Sequence, residues 1–373
     1  MKKLLVVAAL TAAAAPAMAS KARMTALGNS AHLTDIRFIF DNPTYGMTGA
    51  NWATFEFGAT PAANMNTYPL ATPSAEGGFY RAMGDSAFGL YLGNQNAQVN
   101  ETRDTVVANG GGAAANLLSE ENPVDLFYTT KMNDMKLGFG LWFSNADKKA
   151  NAAKEKQASM DLRADMVMGA IDAYAVLGLT DTAQYEAGGN TLKYKGGPHI
   201  RAGGGYTMGE NYFYGLIDTR SAKFDNGAGN GDTSEYKKTN LEVGFVNSMK
   251  SEGNEFFYGV AYNHNWASDK KVVSKDDNTS KLPIWLGLET EANSWMTLRG
   301  TVKQNVILGS TQSAGATEKN TIANDTAVSA GAGFKFNKLV LDTTISAQSN
   351  GRILTDSAAG GELLANASFT YNF

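Results

Sequence analysis

The chain has 373 residues, no cysteine, 32 basic and 36 acidic side chains and a formal net charge of −4. The missing cysteine excludes a disulfide scaffold, thiolate metal sites and a cysteine nucleophile. The slight acidity offers no basic face to nucleic acid, and a mean hydropathy of −0.26 says nothing against a sheet whose apolar and polar residues alternate.

At the amino terminus Lys2 and Lys3 precede an apolar run over 4–15, which Pro16 ends. Ala17-Met18-Ala19 then fits the small-x-small cleavage rule. Residues 1–19 therefore read as a cleaved secretory signal, the run being too short to span a bilayer. Beyond it no stretch of about 18 apolar residues predicts a membrane helix. Residues 20–50 form a separate amino-terminal segment with no alternation.

From residue 51 onward, two-residue alternation recurs. It covers 52–58, 77–82, 87–93, 126–130, 135–143, 159–171, 173–180, 191–195, 199–208 and 212–223. It resumes at 237–247, 256–267, 283–291, 295–307, 327–336, 339–348 and 363–373. Short connections carry Gly, Asn or Asp, as at Gly84-Asp85 and Asn133-Asp134, which suits hairpins. Long ones, at 94–122, 145–158, 225–235, 268–281, 309–325 and 349–361, are rich in Gly, Ser, Asn, Asp and Lys. Short and long connections tend to alternate, the pattern of a transmembrane barrel with short periplasmic turns and long outer loops. The expected fold is all-β: an antiparallel up-and-down transmembrane β-barrel over 51–373. Discounting 126–130 and 191–195 as too short leaves 14–16 strands; an even count is expected, and about 14 is favoured.

Periodicity assigns the faces. In 295–307, Met296, Leu298 and Val302 share one face, and Arg299 and Lys303 the other. The same reading points Arg163, Arg201 and Lys335 inward, with Asp161, Asp165, Glu242, Glu289 and Asp342. These ten residues are candidates to line the lumen, where opposed charges set a transverse field, or to pair and fill it. The Gly203-Gly204-Gly205 run lacks a following helix and is no phosphate loop. It suits a wall over which a bulky neighbour packs.

Catalysis finds little support. The three histidines, His32, His199 and His264, sit in no nucleophile motif. Asp225 to Asp232 has oxygen donors but lacks the spacing and terminal Glu of a calcium loop. No enzyme activity, metal or cofactor is expected.

The chain ends on Phe369, Tyr371 and Phe373, spaced by two on one apolar face. This terminus resembles that of bacterial outer-membrane barrels, whose last aromatic strand is read by the barrel-assembly machinery. Ala26-Leu27-Gly28, Asp35 and the turn Asn42-Pro43 resemble the mature amino terminus of FadL-like and PorV-like barrels. Thr44 stands where those have Ala, and a single Gly where two are common. The resemblance implies 14 strands, an outer-membrane location and residues 20–50 tucked into the lumen as a plug marked by Asp35, Asn42 and Pro43. The leading functional expectation is a porin-like channel for passive diffusion of small polar solutes or ions. The alternatives are a FadL-like carrier of hydrophobic compounds and a structural barrel with a closed lumen. Expected partners are outer-membrane lipid and lipopolysaccharide, the assembly machinery and small solutes. By analogy with FadL-like barrels a monomer is favoured.

Overall fold

A computed structural model describes residues 20–49, 51–61, 71–111, 117–118, 120–150, 153–229, 231–271, 275–306, 310–312, 320–321, 326–349 and 362–373. The expected signal and its cleavage site lie outside them.

Residues 20–49 hold helix α1 (Lys21–Ala26) and two 3-10 turns, Ile36–Phe40 and Pro43–Gly49. The strands follow: β1 (Trp52–Pro61), β2 (Ala71–Met83) and β3 (Ser86–Leu92), then helix α2 (Ala97–Asn109). Next come β4 (Val124–Met132), β5 (Met135–Ala150), β6 (Ala153–Met168), β7 (Ile171–Ala187), β8 (Asn190–Gly196), β9 (His199–Met208) and β10 (Asn211–Asp225). Then β11 (Ser234–Ser251), β12 (Asn254–Asp269), β13 (Lys275–Lys281), β14 (Pro283–Asn293) and β15 (Met296–Asn305). The last are β16 (Ser310–Gln312), β17 (Asn320–Thr321), β18 (Thr326–Phe336), β19 (Leu339–Ser349) and β20 (Glu362–Asn372).

All pair antiparallel in one sheet, and β1 pairs with both β2 and β20, which closes the ring. Among the described residues the pairing of β1 with β20 leaves the wall without a free edge. The described segments make 16 strands rather than about 14. β8 with β9, and β13 with β14, are each one interrupted strand. The tiny β16 and β17 pair beyond the ends of β15 and β18. The lower count came from discounting two short segments and then favouring an even number. Residues 191–195 are indeed the outer part of an interrupted strand, broken at Gly197-Pro198. Residues 126–130, however, are the middle of a full strand, because the ladder of β4 extends to Val124 and Met132 against both neighbours. The connection expected over 145–158 is also mostly ladder, paired out to Ala150 and Ala153. Both faces are polar there, so the alternation fades although the pairing continues.

The turns at one end are tight. Gly84, Asn133, Gly169 and Asn337 each take a positive φ, between 54° and 62°. Only Gly and Asn adopt that conformation readily. The outer face is apolar: Phe57 is 51% exposed, Phe139 50%, Leu286 51% and Ile345 55%. Polar inside and apolar outside inverts a soluble protein and matches a wall facing lipid. Among the described residues no helix is long and apolar enough to cross a membrane.

Inward aromatics lie flat over glycines on adjacent strands. A Cβ at Gly205 would meet the Tyr212 ring at 2.2 Å, one at Gly244 the Tyr214 ring at 2.4 Å, and one at Gly287 the Phe257 ring at 2.0 Å. The glycines let bulky rings bind the wall sideways, as expected of the Gly203–Gly205 run.

The buried apolar residues form three clusters, and each joins an insert to the wall. Ile36 and Ile39 pack with Trp52, Tyr80, Tyr91 and Phe127. Met24, Leu27 and Leu33 pack with Val246, Phe257 and Trp285. Val106 and Val107 of α2 pack with Tyr194 and Phe224.

Candidate functional site

The interior carries two inserts, one toward each end. Residues 20–49 lie toward the tight-turn end. Ser20 caps α1, accepting from the Arg23 N–H at 3.1 Å, and donates its hydroxyl to Asp342 at 3.0 Å. Arg23 donates to Asp35 at 2.9 Å and to both Glu289 oxygens at 2.7 and 3.0 Å. Arg299 donates to Glu289 and Asp342, each at 2.6 Å. Two arginines thus share three carboxylates from the segment, β14 and β19. Burial of ions is tolerated when the geometry supplies such pairs. Burial pushes the Asp35 carboxyl up to about 6, although Arg23 beside it opposes the rise.

The remaining ties run round the ring. Arg37 bonds Glu76 at 2.9 Å, and the Lys21 N–H bonds Glu56 at 2.7 Å. His32 meets Glu255 at 3.1 Å, and the Trp285 indole donates to Ser30 at 3.0 Å. The Tyr80 hydroxyl donates to the Pro43 carbonyl at 3.0 Å, and Thr44 donates to Asp165. Arg201 donates to Asp41 at 2.8 and 3.0 Å. Asp35 also caps the first 3-10 turn, accepting from the Arg37 N–H at 2.7 Å. Asn42 and Pro43 are buried where the second turn begins.

A middle layer of charge separates the inserts. Arg163 pairs with Asp125, which also accepts from Asn94 at 3.3 Å. Asp161 accepts from Asn96 at 3.3 Å. His199 stands 3.6 Å from Asp218 and 4.0 Å from Asp161, and Arg220 donates to Asp218 at 3.0 Å.

Helix α2 occupies the other end. Arg103 donates to Asp181 at 2.7 Å, stands 5.0 Å over the Tyr194 ring, and also bonds the Leu118 carbonyl. Lys238 on β11 meets Glu101 at 2.7 Å, and Asn109 donates to Asp269 at 3.3 Å. Glu120, fully buried behind α2, is held well above the usual carboxylate range by that burial.

Of the ten inward candidates, the structure brings Arg299, Glu289 and Asp342 into one network. Arg163, Arg201, Asp161 and Asp165 each meet a partner named above. Glu242 accepts from Tyr214 at 2.8 Å and from Asn263 at 3.1 Å. Lys303 is exposed, with its ammonium 5.4 Å from the Trp285 ring, and Lys335 is exposed just before the β18–β19 turn. Phe369, Tyr371 and Phe373 face outward, 39–49% exposed.

Sequence reading missed Arg23, Arg37 and Arg103, which lie on no strand, and Asp125, one residue outside its segment. For α2 a signal existed: Val99, Arg103, Val106, Val107 and Gly110 follow a helical spacing behind the cap residue Asn96.

No family model and no curated protein matches this chain. Solved structures do. A bacterial polysaccharide outer membrane secretin aligns over 87% of this chain and 99% of its own, with a TM-score of 0.50 at 8% identity. CdiB from Acinetobacter baumannii aligns over 87% of this chain at a TM-score of 0.48 and 9% identity, and this chain spans 60% of it. The P. putida toluene transporter TodX aligns over 96% and 99%, at a TM-score of 0.45 and 10% identity. The likeness is one of fold: the chain is a closed antiparallel β-barrel.

Proposed function

We propose that this chain is a bacterial outer-membrane channel for passive diffusion of small polar solutes or ions, exported by a signal cleaved after Ala19. In this reading residues 20–49 act as a plug that narrows the tight-turn end, and α2 narrows the other. Of the inward charges, Arg201, Lys303 and Glu242 stay partly exposed and set the ion preference, while Arg163, Arg299 and Asp161 shape the field from buried contacts. The terminal residues Phe369, Tyr371 and Phe373 serve as the assembly signal.

The observation that carries the reading is the wall itself. A ring of this many strands in porins leaves an aqueous channel. Here its inward face bears an arginine or a carboxylate on most strands, a lining that favours hydrated solutes over hydrophobic ones.

Single-channel recording of the refolded chain from residue 20 onward, in a planar bilayer, tests it. Stable conductance steps are expected, with larger steps once residues 20–49 are deleted. Silence from both proteins, each folded by its heat-modifiable migration on a gel, rejects the channel. Silence combined with uptake of a hydrophobic compound by vesicles moves the assignment to a FadL-like carrier.

A further inference from the structure

The outward face changes character toward the long-loop end of β8 to β13. Lower down, this face carries Phe213 and Ile217 on β10, Val243 on β11 and Tyr258 and Val260 on β12, all well exposed. Further along the same strands, at the same parity, it carries Lys223, Lys237 and Trp266. Register places Lys195 directly across from Lys223, Ser221 across from Lys237, and Trp266 across from both Thr239 and Asn278.

Lys237, Thr239, Trp266, Ser268 and Asn278 line an open groove of about 400 Å³ on this face. The Trp266 indole is 43% exposed, and the His264 ring braces it at 4.1 Å. Three acids nearby are already engaged. Glu235 and Asp232 pair with Lys223, each at 3.2 Å, and Asp225 accepts from the Gly227 N–H at 2.9 Å. Lys193, Lys195 and Lys237 are exposed and make no ion pair among the described residues.

We propose that this groove is a binding site for the phosphorylated sugar headgroup of an outer-leaflet glycolipid. Trp266 offers its ring face to the sugar, and Thr239, Ser268 and Asn278 meet hydroxyls. Lys237 in the groove holds one phosphate, and Lys195 and Lys193, two strands away on β8, meet another. The groove sits where an apolar wall gives way to polar residues, the level at which a lipid presents its headgroup. A lipid also meets the wall with its chains, which a soluble phosphate lacks. The inference rests on the outer-membrane placement proposed above and is independent of conductance.

The test is retention of lipid A by the detergent-solubilised chain, followed by native mass spectrometry. Wild type is expected to hold the bis-phosphorylated form, to hold the dephosphorylated form far less, and to release it as salt rises. Lys193→Ser/Lys195→Ser/Lys237→Ser is expected to weaken retention about fivefold per lysine, on the order of a hundredfold in all. Trp266→Ala weakens both forms, and Lys338→Ser, at the opposite rim, changes nothing. All variants lie on exposed positions and are checked for folding by heat-modifiable migration. Equal retention of the two forms, full retention by the triple variant, or release by inorganic phosphate at the same concentration as by lipid A each overturns the proposal. Retention by a chain that shows no conductance leaves the site standing and removes only the channel.

Discussion

Arg299 on β15 and Asp342 on β19 pair at 2.6 Å across the intervening strand, each side chain only 1% exposed. What lets them meet is Gly333 on β18, where a Cβ would stand 2.7 Å from both the guanidinium and the carboxylate. The ion pair, with Glu289 and Arg23, locks the segment before β1 to the far side of the ring closure. Arg299→Leu leaves Asp342 and Glu289 short of one shared cation in a buried site. The expected loss is about 3–5 kcal/mol in denaturant unfolding from detergent. Arg299→Leu/Asp342→Asn is expected to recover much of it. Equal stability of Arg299→Leu and wild type contradicts the pairing.

Gly205 makes a second, purely steric prediction. The Tyr212 hydroxyl donates to Asp172 at 3.0 Å, which pins its ring over Gly205. Gly205→Val forces the ring off the wall, and overpacking of this kind costs about 1–3 kcal/mol. Pairing it with Tyr212→Ala empties the space and relieves the strain. The readout is the midpoint of heat-induced loss of the compact gel band. A double variant no more stable than Gly205→Val argues against the ring as the cause.

The wall was legible in the sequence because its signal is local. Alternation such as Leu298-Arg299-Gly300-Thr301-Val302 reports the face of each residue without knowledge of any other strand. Partners were not legible, because Arg299 and Asp342 lie on strands separated by another and meet only once β15, β18 and β19 pair in register. The outer parts of β5 and β6 were missed for a different reason. Above the lipid both faces meet water, so Lys148, Lys149, Lys154 and Glu155 satisfy either face and the period vanishes. Residues 20–49 carried no period at all. Their fold is set by Ser20 and Asp35 as caps and by buried ties to the wall.

Asp35 gives the segment a dependence on pH. Its neighbours are the Arg23 guanidinium, the Arg37 N–H and, from β19, Asp342. In the docked segment its carboxyl keeps a proton up to about pH 6, whereas an undocked, solvated aspartate keeps one only to about 4. Between those limits the docked form binds more protons, so from this group docking is tighter in acid and weakens as pH rises through 6. Hydrogen exchange, corrected for its intrinsic rate, is expected to show more protection across Ile36–Phe40 at pH 5 than at pH 7.5. Asp35→Asn removes that difference. A difference that persists unchanged in Asp35→Asn assigns the effect elsewhere.

Helix α2 depends on Arg103, the one cation on its inner face. Three partners hold it: the Asp181 carboxylate, the Leu118 carbonyl and the Tyr194 ring. With Arg103→Leu, Asp181 still accepts from Tyr194 at 2.6 Å and from Ser159 at 3.0 Å, so the wall stays satisfied. The loss falls on the helix, whose other anchors include the packing of Val106 and Val107 and polar ties through Asn100, Glu101 and Asn109. Removing one partner of a buried pair costs about 3 kcal/mol, roughly a hundredfold in an opening equilibrium. Exchange protection over Ala97–Asn109 is expected to fall by that factor, while β7 and β10 keep theirs. In the channel reading the same variant gives larger or noisier current steps, since α2 no longer stays against β8 and β10. Unchanged protection in Arg103→Leu places the anchoring of α2 in Val106 and Val107, and Val106→Ala/Val107→Ala then carries the loss.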